Sequence, residues 1–146
     1  MAEKATVTIA FTNNKGGSGK TTTCANLGYS LSLLGKRVLL VDGDMQLNLS
    51  LSYFDEDRVL ELAAGEKNLY NGICREEDLT DYIIPTAYEN LDLIPSSTLM
   101  SGIEFELFTK WQRELILNRG LAKIKESGVY DYILIDAPPT LGGWVM

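Results

Sequence analysis

The sequence contains no histidine and only two cysteines. The missing histidine excludes every mechanism that depends on an imidazole base or an imidazole metal ligand. Cys24 and Cys74 lie far apart in the chain and have neither metal-binding nor redox spacing, which is typical of a protein from a reducing cytoplasm. Cys24 falls near the start of a predicted helix, on the face that also carries Leu27, Leu31 and Leu34. We therefore expect it to pack in the core rather than to react.

Long apolar runs are also missing. No stretch approaches the ~20 residues that span a bilayer, and the first residues, MAEKATVTIAF, lack the apolar centre of a secretion signal. The sequence therefore predicts a cytoplasmic protein with no membrane partner. With 146 residues and 45% hydrophobic content, the chain is long enough for one domain with a substantial core.

Positive charge is scarce, because 13 basic residues face 20 acidic ones and the net charge is −7. An acidic chain binds nucleic acid poorly unless its basic residues cluster on one face, and the sequence shows no such cluster. The one adjacent basic pair, Lys36-Arg37, falls at a predicted turn between a helix and a strand, where it complements the helix end.

The most informative stretch is a glycine-rich loop between an apolar, β-rich run and a helical pattern. A turn of this kind at a helix N-terminus directs several backbone N–H groups to one point, and the helix dipole adds positive potential there. Lys20 can reach the β- and γ-phosphates of a nucleotide, and the Thr21 hydroxyl can ligate Mg²⁺. The loop thus predicts a nucleoside triphosphate site, formed by Lys15, Gly16, Gly17, Ser18, Gly19, Lys20, Thr21 and Thr22.

Two features of this loop depart from the strict phosphate-loop pattern. Asn14 stands where the pattern has glycine, and asparagine is among the residues that best tolerate a positive φ. A second lysine, Lys15, can neutralise charge on the same nucleotide or on one held by a facing subunit. It can equally be a solvated loop lysine, and spacing does not decide between these alternatives.

Apolar runs alternate with helical patterns along the chain. We predict strands at 6–11, 37–42, 91–95 and 132–136, and helices at 20–34, closed by Gly35, and 99–125, where Trp111 packs in the core. Between them, 55–57 and 65–68 are interpreted as surface breaks, and 69–73 as a short helix. This alternation predicts an α/β fold with a mostly parallel sheet and flanking helices.

Acidic side chains follow the predicted strands at the edge where such sheets bind ligands. Asp136 ends an apolar strand and can hold Mg²⁺ through its water shell, although a turn aspartate is the alternative. Asp42 and Asp44 flank a glycine after another strand, where one of them can orient water or support the metal, or both can form the turn. No strong general base stands nearby, which predicts slow hydrolysis.

Three motifs occur in a fixed order: NNKGGSGKTTT, VLLVDGDMQLNLS and YDYILIDAPPTLG. Together with the segment LDLIPSS, they closely resemble the deviant Walker A ATPases, in particular the ParA/Soj branch that partitions chromosomes and plasmids. The resemblance covers nearly the whole chain. It implies a P-loop NTPase-type fold and an ATP-dependent switch in DNA segregation.

The resemblance also implies a role for each matching residue. Lys20 binds the phosphates of ATP in its own chain, and Lys15 is the signature lysine that contacts the nucleotide of the other subunit. Thr21 ligates Mg²⁺, Asp136 corresponds to the Walker B acid at the metal, and Asp44 supports activation of the attacking water. The catalytic residues implied are therefore Lys15, Lys20 and Asp44.

The partners implied by the resemblance are a second copy of the chain in an ATP-dependent homodimer and a ParB-type centromere-binding protein. The full-length form binds nucleoid DNA without sequence preference. Met45 and Leu47 replace the proline and glycine usual in the second motif, so the loop is expected to differ in shape. The family continues beyond the third motif, so we expect residues 1–146 to be an ATPase domain that is incomplete at its C-terminus, with a natural minimal ATPase as the alternative.

Other functions remain open at this stage. A division-site ATPase of the MinD type needs a C-terminal membrane helix that this sequence does not display. A nitrogenase-reductase-like electron donor needs paired cysteines for an iron–sulfur cluster, and Cys74 has no companion near Asp136. A nucleotide-binding fragment without activity is the remaining alternative.

Overall fold

The computed structural model describes residues 5–11, 19–103 and 115–137. Five strands form one sheet in the order β1-β5-β2-β4-β3. The strands β1, β5, β2 and β4 run parallel, and only the two-residue β3 is antiparallel to its neighbour. The strands are β1 (Val7–Phe11), β2 (Val38–Asp42), β3 (Ile84–Pro85), β4 (Leu91–Ile94) and β5 (Tyr132–Asp136). The α/β class with a mostly parallel sheet is therefore confirmed.

The described helices connect these strands along the chain. They are α1 (Gly19–Leu33), α2 (Asn48–Leu51), α3 (Glu56–Ala64), α4 (Leu69–Cys74) and α5 (Ile116–Ser127), with 3₁₀ turns at Leu79–Tyr82 and Thr98–Gly102. None of the helices in the described ranges has the length and apolar character needed to cross a bilayer.

The central strands β2 and β5 are buried on both faces of the sheet, while the edge strand β1 is largely exposed. Successive side chains of a strand point to opposite sides, so each central strand contributes to two cores. Leu39 and Val41 of β2 pack on one side in the cluster that includes residues of α4 and α5. Val38 and Leu40 pack on the other side with Cys24 of α1. All five residues of β2 are buried, which explains why its sequence is a continuous apolar run.

Helix α1 lies close to the sheet because of a glycine. A Cβ at Gly28 would be 2.8 Å from Cδ2 of Leu40, closer than real Cβ atoms come to their neighbours. This close approach anchors α1 over β2 and β5. The helix therefore begins beside the carboxyl ends of both strands, where the sequence places the phosphate loop.

The end of α1 confirms one prediction and corrects another. Gly35 has φ +83°, the left-handed conformation expected of a glycine after a helix. Leu34, expected on the core face with Cys24, is instead 75% exposed. The helix ends at Leu33, so Leu34 already belongs to the turn that leads into β2.

Two further predictions need revision. The surface break predicted at 55–57 is correct in part: all three residues are exposed, but Glu56 and Asp57 already belong to α3. Asp55 caps this helix by accepting a hydrogen bond from the Arg58 backbone N–H. The continuous helix predicted over 99–125 is replaced by a 3₁₀ turn at its start and α5 at its end. Residues 104–114, including Trp111, lie outside the described residues.

Candidate nucleotide site

The carboxyl ends of β2 and β5 meet beside the start of α1. Asp42 and Asp136 are the last residues of these strands and lie opposite each other in the register of the sheet. Gly19, Lys20, Thr21 and Thr22 form the first turn of α1. Of the predicted loop, Lys15, Gly16, Gly17 and Ser18 lie outside the described residues. The structure thus brings together Lys20, Thr21 and Asp136, as the sequence predicts.

Lys20 forms a buried ion pair with Asp136. The Lys20 Nζ lies 2.7 Å from Asp136 Oδ1, and the two side chains are 7% and 0% exposed. The same ammonium donates a hydrogen bond to the Ala137 carbonyl. No hydrogen bond reaches Asp136 Oδ1 from the described residues, so Lys20 is what compensates this oxygen. A phosphate bound by Lys20 would compete with Asp136 and the Ala137 carbonyl for the same ammonium.

The other oxygen of Asp136 faces a hydroxyl. Thr21 Oγ1 donates a hydrogen bond to Asp136 Oδ2 over 2.7 Å. A hydroxyl and a carboxylate oxygen at this separation are the kind of ligands that Mg²⁺ takes from a protein when water and phosphate supply the rest. The described residues contain no cluster of three or more histidine, cysteine or acidic side chains suited to a metal. The Thr21 hydroxyl and the Asp136 carboxylate are oxygen donors that fit a magnesium ion shared with a nucleotide.

Asp42 is fully buried and ties the two ends of the following loop together. Its Oδ1 accepts a hydrogen bond from the Asp44 N–H at 3.1 Å. Its Oδ2 accepts from the Ser50 N–H at 2.9 Å and from Ser50 Oγ at 2.6 Å. Burial raises the pKa of Asp42 to about 7, although the bonds from Ser50 act in the opposite direction. Position alone left open whether Asp42 or Asp44 is functional, and the resemblance assigned the catalytic role to Asp44. These contacts give Asp42 a structural role.

Asp44 lies in this loop and is only partly buried. Its Oδ1 accepts a hydrogen bond from the Gln46 N–H at 3.0 Å, and its carbonyl accepts one from Ser96 Oγ at 2.9 Å. Sequence reasoning missed both Ser50 and Ser96. The segment LDLIPSS carried the only signal for Ser96, and it did not indicate a contact with the Asp44 loop.

Cys24 lies in the core beside this site, as predicted. Its side chain is fully buried, and burial raises the pKa of its thiol well above the ordinary value, with Asp136 and Asp42 adding to the rise and Lys20 opposing it. A thiol that stays protonated is a poor nucleophile. Cys24 is therefore a packing residue.

A parallel sheet, a helix that begins with lysine and threonine, and an acid at the end of the adjacent strand together define a P-loop nucleotide-binding protein. The family model described as "AAA domain" matches residues 6–146, and the chain belongs to this family.

Among curated proteins, the chain is similar to the sporulation initiation inhibitor protein Soj of Bacillus subtilis. The two are 46% identical over 134 residues, which cover 92% of this chain and 50% of that protein. It is also 38% identical to the chromosome partitioning protein ParA of Caulobacter vibrioides, over 91% of this chain and 48% of that protein. The chain therefore spans about half the length of the curated relatives it matches, and the resemblance to the ParA/Soj branch is confirmed.

Solved structures confirm the fold. Cobyrinic acid a,c-diamide synthase from Mycobacterium smegmatis, with bound ATP analogue and magnesium, matches with a TM-score of 0.79 and 34% identity, over 95% of this chain and 52% of that one. A plasmid partition protein from Borrelia burgdorferi matches with a TM-score of 0.76 and 28% identity, over 96% and 59%.

Proposed function

We propose that this chain is an ATP-binding, slowly hydrolysing domain that acts as a dimerisation switch in DNA partitioning. The observation that carries the proposal is the convergence of Lys20 and Thr21 on Asp136, beside the start of α1. The names of the ParA relative and of the plasmid partition protein among the structural neighbours support partitioning as the process. The bound ATP analogue and magnesium in a structural neighbour support ATP and Mg²⁺ as the ligands.

Different residues of the site bind different parts of a magnesium nucleotide. Lys20 neutralises phosphate charge, and the N–H groups at the start of α1 face the same place. Thr21 and Asp136 hold the magnesium ion, which withdraws charge from the phosphates when bound. Asp136 loses the one cation that the described residues place beside it when Lys20 turns to a phosphate. We therefore expect ATP to bind more tightly with magnesium than without it.

Asp44 is the residue that we propose supports activation of the attacking water. Its carboxylate lies on the partly exposed side of the Asp42 loop, at the same edge of the sheet as Asp136. We expect Asp44→Ala to slow ATP hydrolysis about 100-fold, since removing a group that prepares the nucleophile typically costs at least this much. Affinity for ATP stays unchanged, because Asp44 does not hold the phosphates. Asp57→Ala, which removes an exposed acid of α3, is the control.

Steady-state phosphate release and equilibrium binding of a labelled ATP analogue measure the two quantities separately. A hydrolysis rate that Asp44→Ala leaves unchanged would remove Asp44 from the mechanism. A wild-type chain that does not bind the analogue in the presence of magnesium would contradict the proposed function itself.

Pairing of two copies is proposed to depend on Lys15, which lies outside the described residues. We expect Lys15→Ala to leave ATP binding of the single chain nearly intact and to weaken ATP-dependent pairing about tenfold, because one charge-assisted contact across the interface is lost. Light scattering with a non-hydrolysable analogue measures the pairing. Lys36→Ala removes the same charge at the turn before β2 and provides the control. Equal dimer yields in both variants would make Lys15 a solvated loop residue.

The remaining partners belong to the proposal through the resemblance alone. A ParB-type centromere-binding protein is proposed to stimulate hydrolysis, and non-specific DNA to bind the full-length dimer on the nucleoid. With its net charge of −7, this chain itself carries little attraction for DNA. We therefore place DNA binding in the longer, paired form, in the cytoplasm and on the nucleoid.

A further inference from the structure

The backbone of Asp44 is held from two different strands. Asp42, at the end of β2, accepts the Asp44 N–H at 3.1 Å. Ser96, just beyond the end of β4, donates its hydroxyl to the Asp44 carbonyl at 2.9 Å. Both sides of the same residue are thus attached to rigid, buried parts of the sheet. Ser96 is itself 1% exposed.

The Ser96 hydroxyl has one proton and two acceptors within reach. The Asp44 carbonyl lies at 2.9 Å, and the Ser97 carbonyl lies at 3.5 Å. The shorter contact has the ordinary length of a hydroxyl hydrogen bond, whereas the longer one is at the limit of a weak bond. Ser96 therefore donates its hydroxyl proton to the Asp44 carbonyl. This hydrogen bond connects the end of β4 to a loop that lies 52 residues away in the sequence.

The contacts of Ser96 separate it from the nucleotide-binding residues. None of its hydrogen bonds within the described part of the chain involves Lys20, Thr21 or Asp136. The Asp44 carbonyl also accepts the Leu47 N–H at 3.1 Å, which closes the turn locally. Of these two bonds, only the one from Ser96 fixes the turn relative to the sheet.

We propose that Ser96 is a positioning residue for ATP hydrolysis, which anchors the Asp44 carbonyl to β4 and thereby sets where the Asp44 carboxylate stands. This inference rests on the proposed function of Asp44. Ser96 acts on the hydrolytic step alone, because the residues that hold the nucleotide keep their own contacts without it.

The test compares Ser96→Ala with Ser97→Ala. Ser97 is an equally buried neighbour that caps the following 3₁₀ turn by accepting the Leu99 N–H, and its side chain has no described contact with the Asp44 loop. We expect Ser96→Ala to lower kcat for ATP about tenfold with KM unchanged, as loss of one positioning hydrogen bond predicts. Ser96→Thr keeps the hydroxyl and is expected to recover most of kcat. Ser97→Ala is expected to keep the wild-type kcat.

Hydrogen exchange provides a readout that does not depend on hydrolysis. The amides of Asp44, Gln46 and Leu47 donate hydrogen bonds within the loop or to Asp42. In Ser96→Ala we expect these amides to exchange at least about tenfold faster, while the amides of β2 and β4 stay protected. In Ser97→Ala, exchange in the loop stays at the wild-type rate.

The outcomes distinguish this inference from the proposed function. A wild-type chain that binds ATP without hydrolysing it contradicts the function proposed for Asp44. Wild-type hydrolysis with an unaffected kcat and unaffected loop exchange in Ser96→Ala contradicts only the positioning role. A kcat that falls equally in Ser97→Ala also contradicts the positioning role, because the effect would then come from lost packing after β4 and not from the Ser96 hydrogen bond.

Discussion

Replacing Lys20 by alanine is expected to weaken ATP binding about 10- to 150-fold, since a charge-assisted contact to a phosphate contributes about 1.5–3 kcal/mol. Lys20 is the one cation that the described part of the site holds beside the start of α1. Its ammonium is already nearly buried, with a 7% exposed side chain. Of the described residues, those at the start of α1 then offer a phosphate only their backbone N–H groups and the helix dipole to balance its charge.

This variant also disturbs the fold, and the experiment must separate the two effects. Without Lys20, Asp136 keeps a fully buried carboxylate with no cation, and breaking such a pair costs about 3–5 kcal/mol of stability. The double variant Lys20→Ala/Asp136→Asn removes both charges and is expected to recover most of that stability. It is not expected to recover ATP binding, because the missing cation is the cause.

The measurements are made without magnesium, so that the loss of a metal ligand in Asp136→Asn does not change the measured ATP affinity. Urea unfolding reports stability, and a labelled ATP analogue reports affinity. Asp136→Asn alone is the matched control, which keeps Lys20 and is expected to bind ATP at least as tightly as the wild type under these conditions, because Lys20 no longer leaves a buried charge behind. A double variant that folds and binds ATP as tightly as the wild type would reject the phosphate-loop assignment.

The strands and the first helix were predictable because each carries a strong local signal. The runs at β2 and β5 are continuously apolar and end in an acid, as parallel buried strands require. Gly35 marks the end of α1 through its positive φ. The convergence of Lys20 and Asp136 then follows from topology, since a parallel sheet brings its carboxyl ends to one edge.

The part of the site that sequence did not predict depends on contacts between distant loops. Ser50 and Ser96 are ordinary polar residues whose neighbours give no sign of a partner. Their roles arise only when β2 and β4 lie side by side, with Val41 opposite Ile94. For the same reason the spacing of the residues did not distinguish Asp42 from Asp44, and only the resemblance assigned the catalytic role to Asp44. Burial separates them, and burial is a property of the packed sheet.

The buried Asp42 predicts that stability falls as pH rises towards neutrality. Burial raises its pKa from 3.8 to about 7 in the folded chain. The folded state then holds a proton that the unfolded state has released, so folding is favoured at low pH and the advantage is lost as pH passes about 7. When it is protonated, the Asp42 carboxyl can donate a hydrogen bond to Ser50 Oγ, which lies 2.6 Å away. The Ser50 hydroxyl can rotate its own proton away and accept this bond.

We expect the free energy of unfolding to fall by about 2 kcal/mol between pH 5 and pH 7, and to change little above pH 8. The chain has no histidine, so no imidazole obscures this interval. Urea unfolding at constant ionic strength measures the slope. Asp42→Asn, whatever its absolute stability, is expected to abolish the slope, while Asp57→Asn at an exposed position keeps it. A wild-type profile that is flat over this interval would mean that Asp42 is charged in the folded chain.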